Sequence, residues 1–413
     1  MNINNNIISE VFNKIKPNIL SIEQIKTIIG TIGLTLSTGS VYAMSVFSMP
    51  LMENYGFAIP DVAFIFSLAI FVLGMSATIF GELVEKHGPK EIGLIATILF
   101  SGGLICSGLS LTLEVGALIS FYFWYSIIGG IALGLSYIAC PSTLLKLFPK
   151  HKSKAAAISI ISFGLGAAVM APISQYLLNY FLVNQVLIIL GCGYFVIMLC
   201  SSLLLPAKPL KNENTNYGIT AKEALFSSDF YIMWLMFFFN ICFGISLISV
   251  ASPLGIEEFG LSAVEAAMFV AGISVFNTLG RFIFAAISDF TGPKKTYILL
   301  FCCQLLAISL TFIGNIWINI FAILIVSMCY GGGFAILPHL VSVNFGLKNV
   351  GYIHSRLLSA WAIAGIISGL MIGLLKNIFG TYLIVCPIFA IIFIITIYLT
   401  SKLKEQYKKG LNH

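Results

Sequence analysis

A helix needs about 20 consecutive apolar residues to cross roughly 30 Å of hydrocarbon, and the chain contains twelve stretches of that kind. They lie at about 26–50, 58–82, 91–112, 118–147, 154–181, 184–205, 229–255, 262–288, 296–314, 317–346, 351–375 and 381–402. Lipid offers no hydrogen bonds, so each spanning stretch has to satisfy its own backbone, and helices do that within one segment. The predicted fold class is an all-α polytopic membrane protein with twelve transmembrane helices. Composition agrees, because 59% hydrophobic and 9% charged residues exclude a water-soluble globule.

An even number of spans puts both termini on one side. That side carries Lys86 and Lys90, Lys146 to Lys154, Lys208 and Lys211, Lys294 and Lys295, and Lys402 to Lys409, whereas Lys376 alone falls on the other. Cytoplasmic loops retain Lys and Arg, so both termini are expected in the cytoplasm. The net charge of +6 then follows from topology and calls for no nucleic-acid partner. The first two dozen residues are polar and amphipathic and are not expected to be a removable signal peptide. The wealth of Asn, Ile and Lys suggests an AT-rich genome, and a bacterial inner membrane is the expected location.

The chain repeats itself. Glu85 and Asp289, Gly88 and Gly292, Glu53 and Glu257, and Gly56 and Gly260 are each displaced by 204 positions. Six helices have been duplicated, which predicts two pseudo-symmetric six-helix bundles with a site between them near the midplane. The expected division is a cytoplasmic segment at 1–25, a bundle at 26–206, a polar linker at 207–227, a second bundle at 228–402 and a tail at 403–413.

Arg281 is the one Lys or Arg deep inside a predicted span. An intramembrane cation is costly enough to suggest function, although it can also pair merely to hold helices together. At helical spacing, Ser274, Asn277, Thr278, Arg281, Ala285 and Ser288 share a face, while Phe276, Leu279, Phe282 and Ile283 lie elsewhere. A small, polar stripe suits a cavity wall. Guanidinium pairs bidentately with a carboxylate, where an ammonium acts as a point charge. Thr31, Thr35, Thr38, Tyr42 and Ser45 form a similar stripe in the first span, which either lines the cavity or joins helices.

The nine cysteines all fall in apolar spans without metal-ligand spacing and are expected to be small buried hydrophobes. Of the histidines, only His339 is placed to face a pathway. No HExxH, GxSxG or GxxxxGK[ST] pattern occurs, so neither an enzyme nor ATP-driven transport is expected, and no cofactor or metal.

The loops from Gly81 to Lys90 and from Asp289 to Lys294 resemble the paired signature of the major facilitator superfamily. The resemblance implies that fold, with Glu85, Gly88 and Lys90 and their copies Asp289, Gly292 and Lys294 as gating residues whose ion pairs join the bundles. Within the superfamily the chain is most similar to the oxalate/formate antiporter and monocarboxylate carrier group. The residues concerned are Gly39–Leu51, Gly130–Tyr137, Leu147–Pro149, Asn277–Asp289, Tyr330–Gly332 and Ala360–Gly365. In that group the arginine of the eighth helix binds the substrate carboxylate, which implies this role for Arg281. Asn277, Tyr42, Tyr125, Tyr330 and Trp361 complete the implied substrate site.

Two departures narrow the expectation. Oxalate carriers have a second cation where this chain has Trp361, so one carboxylate is expected rather than two. Animal monocarboxylate carriers have an aspartate four residues before the arginine. Asn277 stands there and carries no titrating proton. The expectation is a secondary active transporter, working as a monomer in the bilayer, that moves a small organic anion such as lactate, pyruvate or formate by alternating access. Protons or a counter-anion are the expected coupled species. A carrier for an amino acid, siderophore or drug stays open, as do a channel and a membrane sensor.

Overall fold

The protein is described by a computed structural model, covering residues 21–80, 83, 86–113, 115–148, 152–208, 218–346 and 349–405. Among the described residues twelve helices are long and apolar enough to cross a membrane. The first six are α1 (Ile22–Tyr55), α2 (Ile59–Ile79), α3 (Pro89–Ser110), α4 (Ala117–Leu147), α5 (Lys152–Leu178) and α6 (Val183–Leu203). The second six are α7 (Ser228–Ser249), α8 (Ala263–Thr291), α9 (Pro293–Thr311), α10 (Ile316–Phe345), α11 (Val350–Phe379) and α12 (Tyr382–Ser401). Each overlaps one expected span.

Ends differ where capping chemistry overrides hydropathy. α1 begins near Ile22 because Ser21 and Gln24 close a capping box, with each side chain accepting from the other's backbone N–H at 3.1 and 2.9 Å. Ser262 and Glu265 start α8 in the same way.

The duplication is visible in the backbone. Gly56 caps the end of α1 and Gly260 lies just past Ala251–Glu257, at φ 66° and 65°, and Gly88 and Gly292 precede α3 and α9 at φ 85° and 87°. All four angles lie where a β-carbon is penalised, so the repeat keeps glycine for a steric reason. α1 and α7 are also interrupted at matching places. α1 narrows to a 3₁₀ segment over Ser40–Phe47 before continuing as Ser48–Tyr55, and α7 breaks at Val250 before Ala251–Glu257.

Within the first half α6 packs on α3, α4 on α2 and α5 on α1; within the second α10 packs on α8, α11 on α7 and α9 on α10. Two antiparallel seams join the halves, α2 with α11 and α5 with α8, and the pseudo-twofold exchanges them. On α11, Gly365, Gly369 and Gly373 recur every fourth residue, where a β-carbon would run into Ile70, Ser67 and Pro60 of α2. Small residues let the backbones approach, and in lipid such contact replaces the missing hydrophobic drive between helices.

All nine cysteines are free thiols, but Cys192, Cys200 and Cys302 are exposed on outer helix faces, so burial holds for only some of them. An apolar thiol suits a lipid-facing position as well as a core.

Candidate functional site

The α8 stripe lies inside the protein. Ser274, Asn277, Thr278, Arg281 and Ser288 are all buried, whereas Leu279, Phe282 and Ile283 face outward. Glycines hold α8 close to α10: a β-carbon on Gly280 would strike the Met328 carbonyl, and one on Gly331 would strike the Asn277 carbonyl. This contact fixes the spacing between Arg281 on α8 and Tyr330 on α10.

Arg281 is 4% exposed. Its Nε donates to Asn277 Oδ1 at 3.1 Å, one turn earlier on the same helix. Nη1 donates across the seam to the Ile160 carbonyl on α5. The guanidinium also lies over the Phe334 ring, 5.8 Å from its centre, within cation–π range. Among the described residues no carboxylate pairs with it. A buried cation is thus held by neutral oxygens and a ring face, which leaves its charge available to an incoming anion.

Six aromatic rings form a closed circuit beside the guanidinium. Tyr42 meets Phe163 at 5.7 Å, Phe163 meets Tyr137 at 5.4 Å and Tyr137 meets Trp361 at 5.1 Å. The circuit continues from Trp361 to Phe334 at 4.8 Å, to Tyr330 at 5.3 Å and back to Tyr42 at 6.2 Å. Every step is edge-to-face, the favoured aromatic geometry. Tyr42, Tyr137 and Phe163 come from the first half and the other three from the second. A hydrogen bond of 2.9 Å between the Tyr42 and Tyr330 hydroxyls ties the halves together at the same level. The Trp361 indole N–H is buried and has no acceptor among the described residues.

Five of the six substrate-site residues expected from sequence therefore converge: Arg281, Asn277, Tyr42, Tyr330 and Trp361. Tyr125 lies elsewhere, stacked on Phe121 at 5.6 Å and lining a small cavity inside the first half with Tyr194 and Met44. It occupies a π-helical stretch of α4, Tyr122–Gly129. Phe163, Phe334 and the Ile160 carbonyl were not anticipated. Nothing in residue type marks a backbone carbonyl, and a phenylalanine in an apolar span carries no signal of its own. Tyr137 was within reach, since it closes the Gly130–Tyr137 motif.

The threonine stripe of α1 turns inward to its own bundle. The Thr35 and Thr38 hydroxyls bond back to Thr31 and Leu34 carbonyls at 2.7 and 2.9 Å, and Thr38 meets Ser136 of α4 at 3.4 Å. Of these threonines Thr38 reaches another helix, while Tyr42 of the same stripe stands at the aromatic circuit. His339 of α10 meets Ser288 of α8 through Nδ1 at 2.9 Å.

Of the loop residues, Glu85 lies outside the described residues. Gly88 and Gly292 form the matched turns already noted. Lys294 Nζ donates to the Leu403 carbonyl at 2.8 Å, and Asp289 is exposed. Among the described residues neither Asp289 nor Lys90 makes an ion pair across the bundles. The ion pairs present on the opposite end lie within the second half, where Lys376 meets Glu257 at 3.0 Å and Glu258 at 3.7 Å.

The comparisons with known proteins agree with this architecture. An MFS-type transporter of Escherichia coli described as uncharacterized, YhjX, is 28% identical over 331 residues, covering 78% of this chain and 81% of its own length. Monocarboxylate transporter 12 of Xenopus laevis is 24% identical over 312 residues, covering 68% of this chain and 65% of its own. Among solved structures, a D-xylose–proton symporter superposes with a TM-score of 0.72 at 14% identity, over 92% of this chain and 98% of that one. A bacterial homologue of the human lysosomal transporter Spinster gives 0.70 at 14% identity, over 94% and 98%. The family profile described as Major Facilitator Superfamily matches residues 29–369. With twelve spans, a duplicated six-helix unit and that match over most of its length, the chain belongs to the major facilitator superfamily of secondary transporters.

Proposed function

We propose that the protein carries a small monocarboxylate of the lactate, pyruvate or formate type, with Arg281 binding the carboxylate. One observation carries the reading: a single buried guanidinium, balanced by no carboxylate among the described residues, sits at the junction of the halves beside the aromatic circuit. An anion arriving there supplies the missing charge and offsets the desolvation of both partners. One cation matches one carboxylate. Aromatic walls suit a short apolar tail and offer no partner to a second charged group. The likeness to monocarboxylate transporters supports the same substrate class.

The geometry supports alternating access. Tyr42 and Tyr330 reach the site from opposite halves, so a ligand bound between them can be enclosed by both. We place both termini in the cytoplasm of a bacterial cell and assign Gly88, Lys90, Asp289, Gly292 and Lys294, with Glu85, to the gate on that side. The boundaries at 206 and 228 separate the two rocking bundles.

The test is lactate counterflow in proteoliposomes, with wild type beside Arg281→Lys and Arg281→Ala. Wild type is expected to exchange labelled lactate, and both variants to lose most of that exchange while keeping the wild-type elution profile. Undiminished counterflow in Arg281→Ala overturns the assignment.

A further inference from the structure

Along one face of α5 one carbonyl takes an added donor and the next two helical rungs are altered, and all three lie where α5 meets α8. At the first, the Ile160 carbonyl accepts from Arg281. At the second, the Ser274 hydroxyl of α8 donates to the Gly164 carbonyl at 2.5 Å and accepts from the Ala168 N–H at 3.0 Å, so it occupies both ends of one rung. At the third, the Ala168 carbonyl faces Pro172, which has no N–H to give. A side chain at a helical rung and a proline in a helix interior are each recognised causes of bending.

We propose that this seam is a latch opened by substrate, with Arg281 as its release point and Ser274 as the positioning residue that holds α5 in register. The inference rests on the assignment of Arg281 as the carboxylate anchor. The guanidinium binds the Ile160 carbonyl and fastens α5 to α8. A carboxylate carries full negative charge and two acceptor oxygens, so it competes successfully for the same N–H groups. Once Arg281 turns to the substrate, α5 keeps only the Ser274 bridge on this face. The opposite seam has a different character: α2 and α11 interlock through Gly365, Gly369 and Gly373, with one side-chain hydrogen bond across it among the described residues, from Thr78 to the Ser355 carbonyl at 3.2 Å. Binding therefore loosens one seam and leaves the other as the pivot.

Amide hydrogen exchange of the full-length protein in nanodiscs tests this at the Gly164–Ala168 segment. Without ligand, Arg281→Ala and Ser274→Ala are each expected to raise exchange there about fivefold, the worth of one net hydrogen bond. Sodium lactate is expected to raise it similarly in wild type. Ser274→Ala is expected to lower the apparent KM for lactate together with Vmax, because the carbonyl competes less well when α5 is loose. Ser274→Thr, which restores a hydroxyl, is expected to return both toward wild type. Unchanged ligand-free exchange in Arg281→Ala overturns the latch whatever the substrate is. A lactate-induced thermal shift in wild type without faster exchange in this segment also overturns it. The absence of any thermal shift, with the Arg281→Ala effect intact, refutes lactate as the ligand and leaves the latch standing.

Discussion

A guanidinium stripped of water and given only neutral acceptors retains most of its appetite for an anion. Hydrogen bonds to a charged group are worth about 1.5–3 kcal/mol each, and Arg281 makes two, to Asn277 and Ile160. Asn277 is the more instructive partner, because replacing its amide with a carboxylate changes charge at nearly constant shape. In Asn277→Asp the new carboxylate pairs with Arg281 and competes with substrate while it is ionised. Protonation removes that competitor, so lactate uptake by this variant is expected to rise as pH falls, more steeply than in wild type. Parallel pH profiles for the two proteins would refute the competition. Trp361 gives a second residue-scale prediction. A buried donor without an acceptor costs roughly 1–3 kcal/mol, and among the described residues its indole N–H has none. Trp361→Phe keeps a ring in the circuit while deleting the orphan. The empty carrier is expected to melt at a higher temperature, and the KM for lactate to rise if a substrate oxygen normally accepts that N–H. A lower melting temperature with unchanged KM would assign the tryptophan to packing alone.

At the scale of elements, close approach of backbones sets Arg281 beside Tyr330, and glycines permit it. Gly331 has no room for any side chain, because the Asn277 carbonyl of α8 occupies the space of its β-carbon. Gly331→Val is expected to push α10 from α8, separate Tyr330 from Arg281 and abolish a monodisperse peak in size-exclusion chromatography. Gly102, in the middle of α3, has nothing within 4 Å of a β-carbon. Gly102→Ala is expected to fold normally and to gain about 0.5–1 kcal/mol through the lower backbone entropy of its unfolded chain. A comparable loss at both positions would mean that glycine serves flexibility here rather than proximity. Gly331 opens a run of three glycines, a pattern that permits close helix contact. Which helix it contacts was not legible, because the partner lies about fifty positions away and leaves no periodic trace.

For the whole molecule, two bundles meet along two seams, and the site lies where both halves contribute rings. A ligand bound between them stabilises the assembled state by RT ln(1 + [L]/Kd), about 2.7 kcal/mol at a hundredfold excess over Kd. Lactate is expected to raise the thermal midpoint of the purified carrier, and D-xylose is not, although a xylose symporter shares the fold with a TM-score of 0.72. Stabilisation by xylose and not by lactate would transfer the substrate assignment to neutral solutes.

Sequence alone determined the number of spans, the duplication and the identity of the buried cation, because each is a local property. Twenty apolar residues cross lipid in any context, a repeat preserves glycine wherever φ is positive, and an arginine amid apolar residues is costly wherever the helix is placed. The polar face of α8 was legible for the same reason, since helical spacing alone brings Ser274, Asn277 and Arg281 together. Tertiary structure decided which neighbours balance that charge. It set the guanidinium on the Ile160 carbonyl, closed the circuit with Phe163 and Phe334, and kept Tyr125 in the core of the first half. These contacts join segments remote in the chain through ring edges and a backbone oxygen, groups that every residue or every aromatic offers alike, so only packing can select among them.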